Sequence, residues 1–140
     1  MQITNHLFFN GQCAEAFRFY EQLLGGKIKA LLPAGDMPGE NSVPAEARDK
    51  IMHAYLQLGD QVLMGSDWLA ERPFERPQGF YVSLSLDDVA EAERIFGSLA
   101  ESGTVRMHFE PTFFAYGFGM LVDRFGIPWM VYCPKEDPRS

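Results

Sequence analysis

The sequence predicts an α+β chain made of two βαβββ modules whose sheets form an open, curved, barrel-like cleft. Three observations predict it. An apolar strand, a polar break, a helical stripe with a glycine stop and three further strands run in that order through residues 1–67. The same order returns in residues 79–133. Neither copy by itself can cover both its sheet and its helix, so the two are expected to share one structural domain. Residues 68–78, with Pro73 and Pro77 among charges, read as the linker, and 134–140 as a polar, flexible tail.

Taken in order, Ile3–Phe9 is rich in β-branched and aromatic residues and reads as a strand that Asn10-Gly11-Gln12 ends. From Cys13 to Leu24, the residues Ala16, Phe17, Tyr20, Leu23 and Leu24 recur at helical spacing, with Glu15, Arg18, Glu21 and Gln22 off that stripe. Gly25-Gly26 supplies a left-handed stop. Lys27–Leu32 is a second strand closed by Pro33. Residues 34–49 exceed a plain connection and read as a lid, a binding loop, a partner-contact arm or a mobile connection. Ile51–Leu58 alternates, with Met52, Ala54, Leu56 and Leu58 on one face and His53, Tyr55 and Gln57 on the other. Gly59-Asp60 turns it into Val62–Ser66.

In the second copy, Phe80–Leu86 alternates as a strand, and Asp87 or Asp88 caps a helix whose stripe is Val89, Ala92, Ile95, Phe96 and Leu99. Thr104–Phe109 follows as a strand, then an aromatic loop over 111–116. Gly117–Val122 and Ile127–Cys133 pair across Asp123-Arg124-Phe125-Gly126.

Composition narrows the function classes. An apolar fraction of 46% with 14% aromatics belongs to a folded globule. No apolar run approaches the roughly 20 residues of a membrane span, and the N-terminus lacks a basic segment followed by an apolar one, which predicts a cytoplasmic chain with no membrane partner. Nineteen acids against 12 bases leave a net charge of −7 with no Lys/Arg cluster, so nucleic acid is excluded as an expected partner. Cys13 and Cys133 are expected as two reduced, partly buried thiols rather than a disulfide.

Several strings resemble the vicinal-oxygen-chelate superfamily, which includes glyoxalase I, bleomycin-resistance proteins and extradiol dioxygenases. Phe19-Tyr20-Glu21-Gln22-Leu23-Leu24-Gly25-Gly26 is similar to its helix end, and Asp123-Arg124-Phe125-Gly126-Ile127-Pro128-Trp129 to its last hairpin. Leu7–Gly11, Lys50–Ala54 and Gly117–Trp129 resemble its PhnB-like branch, whose members are often labelled demethylubiquinone methyltransferases. No methyl-donor site is apparent in these residues. The resemblance implies the two-module fold, an open barrel and a homodimer.

It also implies where a divalent ion would sit in metal-dependent members: one ligand near the start of each module's first strand and one on its last. Counting along this chain, those positions fall on Asn5, Met64, Tyr81 and Met130. An amide, a phenol and two thioethers do not make a site for Zn²⁺, Mn²⁺ or Ni²⁺. No metal ligand is therefore assigned, and no cofactor is expected, a divalent ion being possible without matched positions. His6, one residue from the first position, is expected between sheet and helix by strand parity. His108 and Glu110 share a face of a strand expected at a solvated edge.

The remaining polar groups define the expected site. His53 shares the polar side of its strand with Tyr55, where an imidazole could act as a general base or a hydrogen-bond anchor. The expected cavity is lined by Asn5, His53, Tyr55, Tyr81, Ser83 and Met130 and takes a small-molecule ligand. No catalytic residue is assigned. The alternatives are a metal-dependent lyase, isomerase or dioxygenase using His6 and His53 with Asp67 or Glu110, and a structural dimer whose cleft is filled by side chains. Phe113, Phe114, Tyr116 and Phe118 suit a pocket floor or a dimer contact equally.

Overall fold

The computed structural model describes residues 1–36 and 44–135. The expected loop over 34–49 lies partly, and the tail 134–140 largely, outside the described residues. The chain divides into two units, the first Met1–Glu75 and the second beginning at Arg76.

In the first unit β1 (His6–Phe9) leads into α1 (Cys13–Leu24), then β2 (Lys27–Pro33), β3 (Ile51–Leu58) and β4 (Gln61–Asp67). The sheet order is β1-β4-β3-β2, with β1 parallel to β4 and the other pairs antiparallel. β1 is shorter than its sequence predicts: Ile3 is 94% exposed, so no apolar burial draws residues 3–5 into the ladder. The stripe of α1 buries Cys13, Ala16, Phe17 and Tyr20 on one sheet face. Leu7, Phe9, Ala54, Leu56 and Leu63 are buried on the strands, with Phe9 edge-on to Phe17 at 6.0 Å between ring centroids. A Cβ at Gly65 would come within 2.7 Å of the Phe17 ring and 2.9 Å of the Leu7 carbonyl, so only glycine lets the helix sit this close. α1 stops at Gly25, which takes φ 78° and donates its N–H to Glu21 O.

The second unit repeats the plan as β5 (Val82–Ser85), α2 (Val89–Ala100), β6 (Thr104–Glu110), β7 (Ala115–Val122) and β8 (Pro128–Pro134). Its order is β5-β8-β7-β6, again with the first strand parallel to the last. α2 buries Ala92, Ile95, Phe96 and Leu99, and Asp88 Oδ1 caps it by accepting from Ala90 N and Glu91 N. β6 is an edge strand exposed at every position but Phe109.

The two helices are therefore capped differently. α1 has no side-chain cap from its neighbours in sequence. Its first amide, Cys13 N, instead donates to Asp67 Oδ1 at 2.9 Å, from the end of β4. Cys13 and Cys133 are both buried and free. No helix among the described residues is long and apolar enough to cross a membrane.

Candidate functional site

Each sheet has one face covered by its helix and one that the helix leaves bare. On the first sheet, strand pairing fixes the bare face. His6 pairs with Met64, which pairs with Tyr55, which pairs with Ala30. One step along, Phe8 pairs with Ser66, and His53 pairs with Leu32. Since paired residues point to the same side, His6, Phe8, His53, Tyr55, Met64 and Ser66 share this face. His6 Nε2 and Ser66 Oγ are hydrogen-bonded at 2.9 Å. The His6 ring lies 4.9 Å from Phe8, Phe8 is edge-on to Trp68 at 5.4 Å, and His53 lies 6.4 Å from Tyr55. Trp68 is held in turn by its indole N–H, which donates to Arg72 O at 2.8 Å. The result is an aromatic surface with a few polar anchors, the composition typical of small-molecule sites.

The expectation for His6 is corrected here. It faces away from α1, whereas Leu7 and Phe9 face the helix. Counting from the helix end misplaced β1 by one residue, and one residue exchanges the faces.

Burial, and secondarily the charge of His53, hold the His6 imidazole below its ordinary value of 6.5. The folded chain thus disfavours the imidazolium, and protons bind better to the unfolded chain. The contribution of His6 to stability is therefore full above pH 6.5 and is lost as the pH drops from there through the lower folded value. An NMR titration of the His6 ring is expected to give a midpoint below 6.5. In His53→Ala the midpoint should rise part of the way back, because burial, the larger cause, remains. A midpoint unmoved by that substitution would show that the two imidazoles do not interact.

On the second sheet the bare face carries Ser83 paired with Met130, Met130 paired with Met120, and Ser85 with Tyr132. Phe118 lies 6.2 Å from Tyr132 and 5.3 Å from Phe114, which meets Phe113 at 5.2 Å. Phe113 and Tyr116 are exposed. Tyr81 precedes β5 and lines a pocket of about 290 Å³ with Phe80, Val122 and Pro128. Asn5 precedes β1, is exposed, and joins the sheet only through its carbonyl, which accepts from Met64 N.

The register sets His6 opposite Met64 in the first unit and Ser83 opposite Met130 in the second. One imidazole, one hydroxyl and two thioethers are a poor donor set for a borderline or hard divalent cation, so the residues do not fit that group. Among the described residues no three His, Cys, Asp or Glu side chains gather as a candidate metal site. Asp67, a candidate acid by sequence, is on the helix side, its two oxygens accepting from Cys13 N at 2.9 Å and Ile51 N at 2.8 Å. His108 and Glu110 are exposed on the β6 edge. Both thiols are disfavoured as thiolates: burial, with Asp67 beside it, pushes the Cys13 thiol up, and burial with Asp87 and Asp88 does the same to Cys133.

Sequence reasoning missed Ser66, Phe8 and Trp68. The alternation of β4 around Met64 could have found Ser66; Trp68, read as linker, gives no local signal.

The family model described as 3-demethylubiquinone-9 3-methyltransferase matches residues 1–132. "Protein YjdN" of Escherichia coli (strain K12) is 31% identical over 146 residues, covering 99% of each chain. The crystal structure of protein PA1353 from Pseudomonas aeruginosa is 50% identical with TM-score 0.89, covering 97% of this chain and 99% of that one. A putative 3-demethylubiquinone-9 3-methyltransferase, PhnB protein, from Bacillus cereus is 24% identical with TM-score 0.78, covering 95% and 99%, and shares the fold. So does a glyoxylase/bleomycin resistance protein/dioxygenase domain from Frankia sp. EAN1pec, at 14% identity and TM-score 0.62 over 97% and 92%. With its paired βαβββ units and a match across nearly its whole length, the chain belongs to the PhnB-like, 3-demethylubiquinone-9 3-methyltransferase family of the vicinal-oxygen-chelate fold.

Proposed function

We propose that this chain is a cytoplasmic small-molecule-binding protein that holds its ligand against the bare sheet faces without the usual metal quartet. The observation that carries the reading is the first sheet's bare face. There the hydrogen-bonded His6–Ser66 pair and His53 stand among Phe8, Tyr55, Met64 and Trp68. Apolar area supplies most of the affinity of such a surface, and a few polar groups set orientation. His53 and Tyr55 are the principal anchors on the first sheet in this reading; Ser83 and Met130 are the corresponding groups on the second sheet's bare face, and Asn5 and Tyr81 precede β1 and β5. A homodimer accompanies it, supported by the exposed aromatics Phe113, Phe114 and Tyr116.

One observation favours the competing reading of a metal-dependent lyase, isomerase or dioxygenase: His6 and His53 share the bare face of the first sheet. Two measurements on tag-free protein separate the readings. Ligand-observed NMR against a library of apolar, hydrogen-bonding small molecules is expected to find binders whose affinity drops about tenfold in His53→Ala, the loss of one charge-assisted or buried hydrogen bond. Elemental analysis is expected to find less than stoichiometric Zn, Mn, Fe or Ni. One metal ion per chain, lost in His53→Ala, would overturn the binding-only reading.

A further inference from the structure

The pocket of about 290 Å³ beside Tyr81 lies wholly in the second unit and has a chemistry the sheet faces lack. Arg76 and Arg106 both line it, with Phe80, Tyr81, Val122 and Pro128 as apolar walls, and no carboxylate among the described residues lines it. Neither arginine forms an ion pair with a carboxylate among the described residues, where the ion pair seen is Arg94–Glu91. In a chain with 19 acids and 12 bases, two guanidinium groups lining one pocket, neither ion-paired among the described residues, are a local reversal of charge.

The backbone brings them there in two ways. The β6–β7 ladder slips between Val105 and Met107, and such a bulge re-aims the extra residue, here Arg106. On the other side Gly79 takes φ 85°, a left-handed turn that carries the chain from Arg76 round to Phe80 and Tyr81. A Cβ at Gly79 would meet nothing within 4 Å, so the glycine serves the turn rather than a close contact. Two like charges sharing a pocket repel, and an anion entering between them removes that repulsion. Guanidinium groups bind carboxylate and phosphate oxygens through paired N–H donors, while the rings of Phe80 and Tyr81 offer a face for a flat apolar group.

We infer that this pocket binds a small aromatic compound carrying an oxyanion, a carboxylate or a phosphate, independently of any ligand on the sheet faces. The test is a titration of ¹⁵N-labelled protein with benzoate, phenyl phosphate and, as the uncharged isostere, benzamide. Benzoate or phenyl phosphate should shift the amides of Gly79, Phe80 and Tyr81 saturably, and benzamide should not. The tighter of the two assigns the oxyanion. Arg106→Gln and Arg76→Gln should each weaken it about tenfold, Arg106→Lys less, and Arg94→Gln not at all. Raising salt to about 0.5 M should weaken binding as well.

The inference is overturned by equal binding of benzamide, by affinity unchanged in Arg106→Gln, or by the absence of saturable shifts at 79–81. Shifts confined to the amides of His53, Tyr55 and Ser66 would also overturn it while leaving the sheet-face reading standing. Binding at 79–81 with no ligand ever found for His53 would do the reverse.

Discussion

Replacing Asp123 with alanine is expected to lower the unfolding free energy by about 3–5 kcal/mol, the cost of stripping a buried charge from its partners. Asp123 is 4% exposed, and its carboxylate serves three donors. Oδ1 accepts from Phe125 N and Ile127 N, and Oδ2 from the Trp129 indole N–H, each at 2.9 Å. The turn itself is closed by Asp123 N donating to Ile127 O and Gly126 N donating to Asp123 O, with Gly126 at φ 92°. Without the carboxylate, two main-chain amides and an indole buried at 0% exposure lose their acceptor, each a desolvated donor costing about 1–3 kcal/mol. The melting temperature should fall by roughly 10 °C for a chain of this size. Asp123→Asn keeps one oxygen for the two amides but sets its NH₂ against the indole N–H, so its loss should be about half as large. Chemical denaturation of both variants checks this. A loss below about 1 kcal/mol in the alanine variant would mean that water replaces the carboxylate, contrary to its burial.

The hairpin around Asp123 was legible in the sequence because its chemistry is local: an acid, a glycine and a tryptophan within seven residues. The helices were legible for the same reason, their stripes and the Gly25 stop being written in consecutive residues. β3 was legible because its faces differ in kind, Ala54 and Leu56 against His53, Tyr55 and Gln57. β1 was not. Phe8 and Phe9 are the same residue type, yet Phe9 is 0% exposed under α1 and Phe8 is 40% exposed on the bare face. A strand of four residues with an aromatic on each side has an obvious period and no obvious phase, and the phase alone decides whether Asn5 or His6 faces Met64. The pocket of Arg76 and Arg106 was hidden for a different reason: a bulge depends on a partner strand, which no single segment encodes.

Asp67 presents the opposite case to His6, an acid that sequence offers to the site and the fold withdraws. Asp67→Ala is expected to cost about 3–4 kcal/mol, second only to Asp123→Ala. Its side chain is 2% exposed on the α1 side of β4, and its oxygens bind Cys13 N and Ile51 N. It therefore ties together the start of α1, the start of β3 and the end of β4, and places a negative charge at a helix N-terminus, which contributes about 0.3–1 kcal/mol of that total. Asp67→Asn retains an acceptor for one amide and turns a donor toward the other, so it should be destabilised by about 2 kcal/mol. Both oxygens are committed to main-chain donors, leaving the carboxylate no part in chemistry on the His6 face. Ligand affinity in Asp67→Asn, measured well below its melting temperature, should stay within about twofold of the parent, since an unchanged face gives an unchanged binding free energy. An affinity reduced about tenfold in folded Asp67→Asn, with His53→Ala matching it, would instead place the acid and the imidazole in one site.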